Sequence, residues 1–407
     1  MSVLSRRDAI VVFLAFALAY FFSTLIRAIT GTLSPTLTQE FALNARDLGL
    51  LAGGYFLGFS LVQLPMGAWL DRHGPKKVVL SFLSVAVLGC LAFALADSFF
   101  NLLLARVLTG VGVGACLMAP LTGYRRWFHA TTQLRANSWM LMTGSLGMVA
   151  STLPVQWVMP LVGWRPLFFG LAFMLLLSML VIAAKVPAWQ VQPQTAVVPA
   201  TYAEIWRHPY FRKMTPIGFF GYGGLVAVQT LWAVPWMIKV AGYTPAQATS
   251  GLFWINVAML FTFWSWGMIN PWLARRGYTA ERLIRWGLPL TFAVLAVIAL
   301  AGARLQMGAV WMLTLFCMTC SVVPLAQSAV GMAFPPAAAG RALSAYNLVL
   351  FSGVFAVQWG IGLVVDGFKG LGWTEAAAFQ GALAAYLVCY IGAYVYLLRA
   401  KSHNPAT

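Results

Sequence analysis

Apolar residues fall in long runs along this chain, and the polar residues sit in the short gaps between them. Twelve runs are read, at about 10–31, 48–70, 77–96, 100–123, 135–160, 165–185, 213–238, 247–269, 284–302, 307–333, 342–365 and 375–398. Each is close to the length of about 20 residues that an α-helix needs to cross a hydrocarbon core about 30 Å thick. The pattern predicts an all-α integral membrane protein with 12 transmembrane helices.

Composition sharpens that expectation. Hydrophobic residues make up 61% of the 407 positions and charged residues only 9%, with a mean hydropathy of +0.82. A soluble fold carries about 25% charged residues and has nowhere to hide so much apolar surface. The net charge of +17 would suggest nucleic acid in a soluble chain, but here its placement points elsewhere. With the N-terminus in the cytoplasm, nineteen of the 26 Lys and Arg fall in loops on that side, among them Arg72, Lys76, Lys77, Arg125, Arg126, Arg275, Arg276 and Arg341. Five fall on the other side, and Arg27 and Arg106 lie inside spans. This is the positive-inside distribution, and it places both termini in the cytoplasm. The basic residues are scattered through short loops, which argues against nucleic-acid binding. A cleaved signal peptide at the basic, apolar start is set aside, because its removal would leave an odd number of spans. The five cysteines read as small buried hydrophobes, and the Cys317/Cys320 pair has no flanking ligand set for a metal.

The longest polar stretch inside the chain parts the spans six and six. It defines a six-helix bundle over 1–186, a cytoplasmic linker over 187–212 and a second six-helix bundle over 213–407. Short repeats support two pseudo-symmetric halves. Arg135-Ala136-Asn137-Ser138 pairs with Arg341-Ala342-Leu343-Ser344, Val155-Gln156-Trp157 with Val357-Gln358-Trp359, and Gly163-Trp164 with Gly372-Trp373, at offsets of 206, 202 and 209 residues. Internal repeats with a solute path between them are a recognised plan for transporters.

Two motifs make a family resemblance specific. After the second run the chain reads Gly67-Ala68-Trp69-Leu70-Asp71-Arg72-His73-Gly74-Pro75-Lys76-Lys77, and in the fourth run Arg106, Gly110, Gly112 and Gly114 are spaced as RxxxGxGxG. Both resemble signatures of the major facilitator superfamily, and the resemblance covers essentially the whole chain. It implies the two-bundle fold of that family and alternating access, with these residues in gating. Asp71 sits at a helix end among Arg72, Lys76 and Lys77, where a carboxylate can pair with a base or meet a helix N-terminus. The resemblance puts that partner near Arg341 at the start of the eleventh run. The second half departs from the pattern, since Asn270 and Arg275-Arg276-Gly277 follow Gly267 without an Asp. For Arg106 two readings stand: it snorkels to the outer headgroups, or, as the resemblance implies, it ties the fourth helix to the backbone of the first.

Arg27 is the charge best placed to touch a solute. Tyr20 and Thr24 share its helical face, and a guanidinium can grip a carboxylate or phosphate through two parallel hydrogen bonds. The alternative is an arginine that reaches headgroups or a helix carbonyl. Its spacing from Pro35 is similar to the first-helix arginine of organophosphate/phosphate antiporters and related anion transporters. Those carry a second arginine in the seventh span, which is missing here, so a monoanion fits better than a doubly charged phosphate. All nine acidic residues map to loops or span ends and all four histidines to cytoplasmic segments, leaving nothing at mid-membrane to bind a cation or relay protons. If transport is coupled to protons, the proton can then travel on the substrate carboxylate. Around Arg27 the candidate substrate contacts are Gln229 and Trp232, near an expected helix break at Pro235, with Asn256, Asn347 and Gln358. Each of them reads equally as interhelical glue.

The function expected is secondary active transport of a small organic anion, a carboxylate in first place, across a bacterial-type inner membrane. The partners are the small-molecule substrate, a proton or other ion where coupling applies, and the lipid bilayer, and the chain is read as a monomer. The alternatives are an exporter of amphipathic drugs or metabolites, and a non-transporting membrane receptor or lipid-handling protein. No catalytic residue, cofactor or metal is expected, because no nucleophile with a base and no phosphate-cradling loop was found.

Overall fold

A computed structural model describes residues 4–189 and 201–400, and no strand occurs among them. In lipid a backbone must satisfy its own hydrogen bonds, and a helix does so within one segment. The helices are α1 (Arg6–Phe41), α2 (Ala45–Leu61), α3 (Gln63–Ala94), α4 (Phe99–Val113), α5 (Met118–Trp127), α6 (Ala130–Ala150), α7 (Leu153–Val162), α8 (Trp164–Lys185) and α9 (Tyr202–Arg207). There follow α10 (Pro209–Ile217), α11 (Gly223–Ala227), α12 (Ala233–Lys239), α13 (Pro245–Arg275), α14 (Ala280–Ala301), α15 (Ala309–Cys320), α16 (Leu325–Met332), α17 (Pro336–Gly370) and α18 (Glu375–Arg399).

Among the described residues nine helical stretches are long and apolar enough to cross a bilayer, or ten with the bent pair Arg135–Ala150 and Leu153–Val162. The apolar runs and the helices do not correspond one to one, for three local reasons. Helix α2 has only 17 residues. Helix α3 continues through the signature loop with a kink at Gly74, where φ is 77° and ψ 162°, a conformation that only glycine adopts readily. The stretch Ala280–Met332 runs for 53 residues, more than twice the length of about 20 that a crossing needs, and is interrupted at Gly302, with φ 49°. Of the expected linker 187–212, residues 190–200 lie outside the described residues. Helix α9 lies in the remainder and starts from a capping box of Thr201 and Glu204.

Packing divides the chain into two compact units, one of Met1–Ile29 with Leu57–Ala196, the other of Thr30–Phe56 with Val197–Thr407. In the first unit, small residues let helices approach at backbone distance. A Cβ on Gly112 of α4 would strike the backbone of Ala86 in α3. Helix α8 closes on α3 through Phe93, whose ring stacks on Phe168 at 4.1 Å and meets Trp164 edge-on at 5.6 Å. Large apolar side chains face outward, with Leu161 82% exposed, which suits lipid and not water.

In the second unit the stretch Pro209–Lys239 is the most enclosed of the spans. It does not break at Pro235. The helix instead widens into π-turns over Gly218–Tyr222 and Val228–Trp232. The second of these includes Leu231, the carbonyl against which the Pro235 ring would otherwise press. Backbone carbonyls at and just before the first π-turn are taken up by side chains of neighbouring helices. Tyr346 donates to Met214 O at 2.9 Å, Tyr386 to Phe220 O at 2.9 Å, and the Cys320 thiol to Gly221 O at 3.3 Å.

Candidate functional site

In the first unit the polar face of α1 is held from three directions. Tyr20 packs on Gly144 and Thr24 on Gly147, both in α6. The Thr24 hydroxyl donates to its own helix, to Tyr20 O at 3.2 Å and Phe21 O at 3.0 Å. Arg27 is half-buried, with its guanidinium carbon 5.4 Å from the centroid of the Phe59 ring, a distance at which a cation is attracted to an aromatic face. Arg106, 1% exposed, sends Nη1 to the carbonyl of Ile26 at 3.0 Å. It therefore grips the residue immediately before Arg27. Serine 98 caps α4 by accepting from the Asn101 N–H at 3.3 Å, and the helix then carries Arg106 and Gly110 into the interior. A Cβ on Gly114 would meet the Val62 side chain at 2.7 Å.

The signature loop lies at one end of the same unit. Gly67 and Lys76 are half-buried, Asp71, Arg72 and Lys77 are exposed, and Gly74 is buried. This loop is fastened to the segment that follows α8. Lys76 Nζ donates to Val186 O at 2.8 Å, and the Trp189 indole donates to Asp71 O at 3.3 Å. The side chain of Trp189 occupies the space where a Cβ on Gly74 would stand, and Arg126 lies over its ring at 4.5 Å. Arg341 belongs to the second unit, with its guanidinium carbon 6.0 Å from the Tyr202 ring. Burial raises the Tyr202 pKa, opposed by the charge of Arg341.

The second unit buries Gln229, Trp232, Asn256 and Gln358 in two separate polar pairings. Gln229 Nε2 donates to Asn256 Oδ1 at 2.8 Å, and Asn256 Nδ2 to Leu252 O at 3.1 Å. Gln358 Nε2 donates to Thr230 Oγ1 at 2.8 Å, while the backbone carbonyl of Gln358 accepts from Trp232 Nε1 at 3.1 Å. Gln358 is 0% exposed, and its Oε1 has no hydrogen-bond partner among the described residues. Asn347 pairs instead with Gln327, whose Nε2 donates to Asn347 Oδ1 at 2.6 Å. An apolar crevice lined by Val228, Trp236, Phe379 and Leu383 adjoins Trp232.

Two residues of consequence carry no mark in the sequence. Trp189 lies in the polar stretch 187–212, and Asp366 is one of nine acids at loops or span ends, yet its carboxylate accepts from the backbone N–H of Ala45 at 3.3 Å and of Arg46 at 2.7 Å. Neither contact leaves a signal in local sequence. Among the described residues no group of three or more His, Cys, Asp or Glu is arranged to hold a metal.

A family model described as Major Facilitator Superfamily matches residues 16–358. A 4-hydroxybenzoate transporter of Acinetobacter baylyi is 28% identical over 186 residues, 45% of this chain and 40% of that protein. A gallate transporter of Pseudomonas putida is 26% identical over 171 residues, 42% of this chain and 36% of that protein. The chain thus matches less than half the length of these curated relatives. Among solved structures, a bacterial homologue of the human lysosomal transporter Spinster superposes with a TM-score of 0.78 at 16% identity, over 97% of each chain. A D-xylose-proton symporter gives 0.78 at 14% identity, over 98% of this chain and 99% of that one. At such identities these two structures speak to the fold alone.

Proposed function

Because this chain belongs to the Major Facilitator Superfamily and is a multi-pass membrane protein, we propose that it is a secondary active transporter of a small organic carboxylate working by alternating access. The observation that carries the reading is Arg27, a permanently charged group within α1, set beside an aromatic ring and steadied by the arginine that holds the preceding carbonyl. A guanidinium in a span is costly unless it faces a polar path or a partner, and a planar carboxylate matches its fork of donors. The Phe59 ring beside it suits an aromatic acid, in keeping with the names of the two relatives.

In this reading Tyr20 and Thr24 flank the anion site, while Gln229, Trp232, Asn256, Asn347 and Gln358 serve the rest of the solute. Gln358 Oε1 is the atom we assign to a substrate hydroxyl, since a buried acceptor left unmatched costs about 1–3 kcal/mol. We further read twelve spans in two six-helix halves, over 1–186 and 213–407. Dividing α3 at Gly74 and the stretch Ala280–Met332 at Gly302, and joining α6 to α7, supports that number. Gly67, Asp71, Arg72, Gly74, Lys76, Lys77, Arg106, Gly110, Gly112, Gly114 and Arg341 are assigned to gating. Both termini are placed in the cytoplasm at an inner membrane, with the chain acting as a monomer.

The test is counterflow of labelled 4-hydroxybenzoate in proteoliposomes. The parent is expected to exchange it and Arg27→Gln to lose exchange, while a neutral amphipathic drug is handled by neither. Exchange of the drug, undiminished by Arg27→Gln, would replace the reading with that of an exporter.

A further inference from the structure

Residues Thr30–Phe56 form a helical hairpin that packs within the second unit, although each of its ends continues a helix whose other part belongs to the first. Two features hold the hairpin to α17. At its tip, the first turn of α2 presents the backbone N–H groups that a helix cannot satisfy itself. Asn44 Oδ1 accepts from Asp47 N at 2.8 Å, and the Asp366 carboxylate of α17 takes the other two, Ala45 N at 3.3 Å and Arg46 N at 2.7 Å. Beside the tip, backbone meets backbone. A Cβ on Gly362 would strike the Ala45 carbonyl, and one on Gly49 would lie 2.5 Å from Gln358 O and 3.1 Å from the Trp232 ring.

We propose that Asp366 is a releasable latch, which holds the hairpin Thr30–Phe56 against α17 in the state seen here and lets it go when the carrier opens toward the side on which the hairpin tip lies. The proposal rests on the reading that this chain alternates between states. Its chemistry suits release. The carboxylate is half-exposed and Arg46 is exposed, so on opening water can replace the protein partner at both groups with little desolvation cost. An anion at a helix N-terminus also gains from the aligned peptide dipoles, which makes the contact directional. Glycines keep the seam flat beside the tip, and farther along it Phe56 of the hairpin stacks on Phe351 of α17 with ring centroids 6.3 Å apart.

The latch can be tested without a transported solute, so its failure is separate from failure of the substrate assignment. Ser34, buried in the hairpin with its hydroxyl on Gly31 O at 2.8 Å, is changed to Cys in a Cys389→Ala background, the other four cysteines being buried. Reaction of purified full-length protein with a bulky maleimide then reports opening. Asp366→Asn is expected to speed labelling about fivefold, the worth of two half-exposed hydrogen bonds to a charge, while Asp366→Glu stays near the parent rate. Gly362→Ala, which wedges the same seam by a different route, is expected to speed it as well, and it stands in if the Asn variant does not fold. Thr374→Ala removes another helix cap, the bond from Ala377 N at 3.3 Å, and is expected to leave labelling unchanged. Equal rates in the parent, Asp366→Asn and Gly362→Ala, or an equal rise in Thr374→Ala, would overturn the proposal.

Discussion

Replacing Arg106 by Met separates positioning from stability. The change keeps an unbranched stem of similar length and removes the charge. A hydrogen bond from a charged donor is worth about 1.5–3 kcal/mol, and here Nη1 reaches Ile26 O at 3.0 Å. The Phe93 ring lies 6.0 Å from the guanidinium carbon, the outer limit for a cation–π attraction of about 0.5–1 kcal/mol. Against these stands the cost of keeping a guanidinium inside a span, about 2.5–3.5 kcal/mol. The terms nearly cancel, so thermal stability should change by no more than about 1 kcal/mol, as seen when buried charges give way to apolar groups of like volume. The tether on Ile26 is nevertheless gone, and Arg27 follows Ile26. Affinity for 4-hydroxybenzoate should therefore fall about tenfold, the effect of a modest misplacement on a directional contact. Arg106→Lys keeps a charge but offers a shorter, point-like donor. It should cost more stability than Met does, by about 2 kcal/mol or more if the ammonium misses the carbonyl. Thermal unfolding and equilibrium binding on detergent-purified protein give both numbers. An unchanged dissociation constant in Arg106→Met, or a Lys variant as stable as the parent, would refute the reasoning.

Gly112→Ala should separate α3 from α4, because its Cβ would meet the Ala86 backbone, which cannot move aside as a flexible side chain would. A loss of about 1–3 kcal/mol is expected for such overpacking, read as a lowered unfolding temperature, whereas Gly163→Ala tests only the cost of a positive φ of 78° in open space. Burial of His208, whose ring centroid is 4.5 Å from that of Phe334, lowers its pKa from the ordinary 6.5. The unfolded chain then binds a proton near pH 6.5 that the folded protein refuses, so stability is complete above that value and falls as the pH drops from it toward the lower folded pKa. His208→Phe should flatten this acid limb in thermal scans run downward from about pH 6.5, and an unaltered limb would assign it to other groups.

The helices were legible because lipid leaves a chain so few options that a long apolar run without charges folds as a helix, although the twelve runs and the nine or ten spans among the described residues do not correspond one to one. The family was legible because its signatures are local, in Gly67 to Lys77 and in Arg106 to Gly114. Geometry that depends on a distant partner was not. Nothing near Pro235 tells a reader that the helix will widen at Val228–Trp232 and remain continuous, and nothing local marks Met214, Phe220 and Gly221, at and just before the first π-turn, as carbonyls that Tyr346, Tyr386 and Cys320 take up. The amides of Gln229, Asn256 and Gln358 were visible as polar residues in apolar runs, but their pairing across helices was not. Asp366 and Trp189 stand in stretches that read as loop and linker, and they take on meaning only when Ala45 and Gly74 are brought beside them.

The most direct measurement compares two ligands of the same shape, 4-hydroxybenzoate and the neutral 4-hydroxybenzyl alcohol, on the parent and on Arg27→Gln. A charged pair that is partly desolvated is worth about 2 kcal/mol or more, so the parent should prefer the anion by about thirtyfold and the variant should bind both alike. A preference for the anion that survives in Arg27→Gln would show that another group reads the carboxylate, and would contradict the account at its centre.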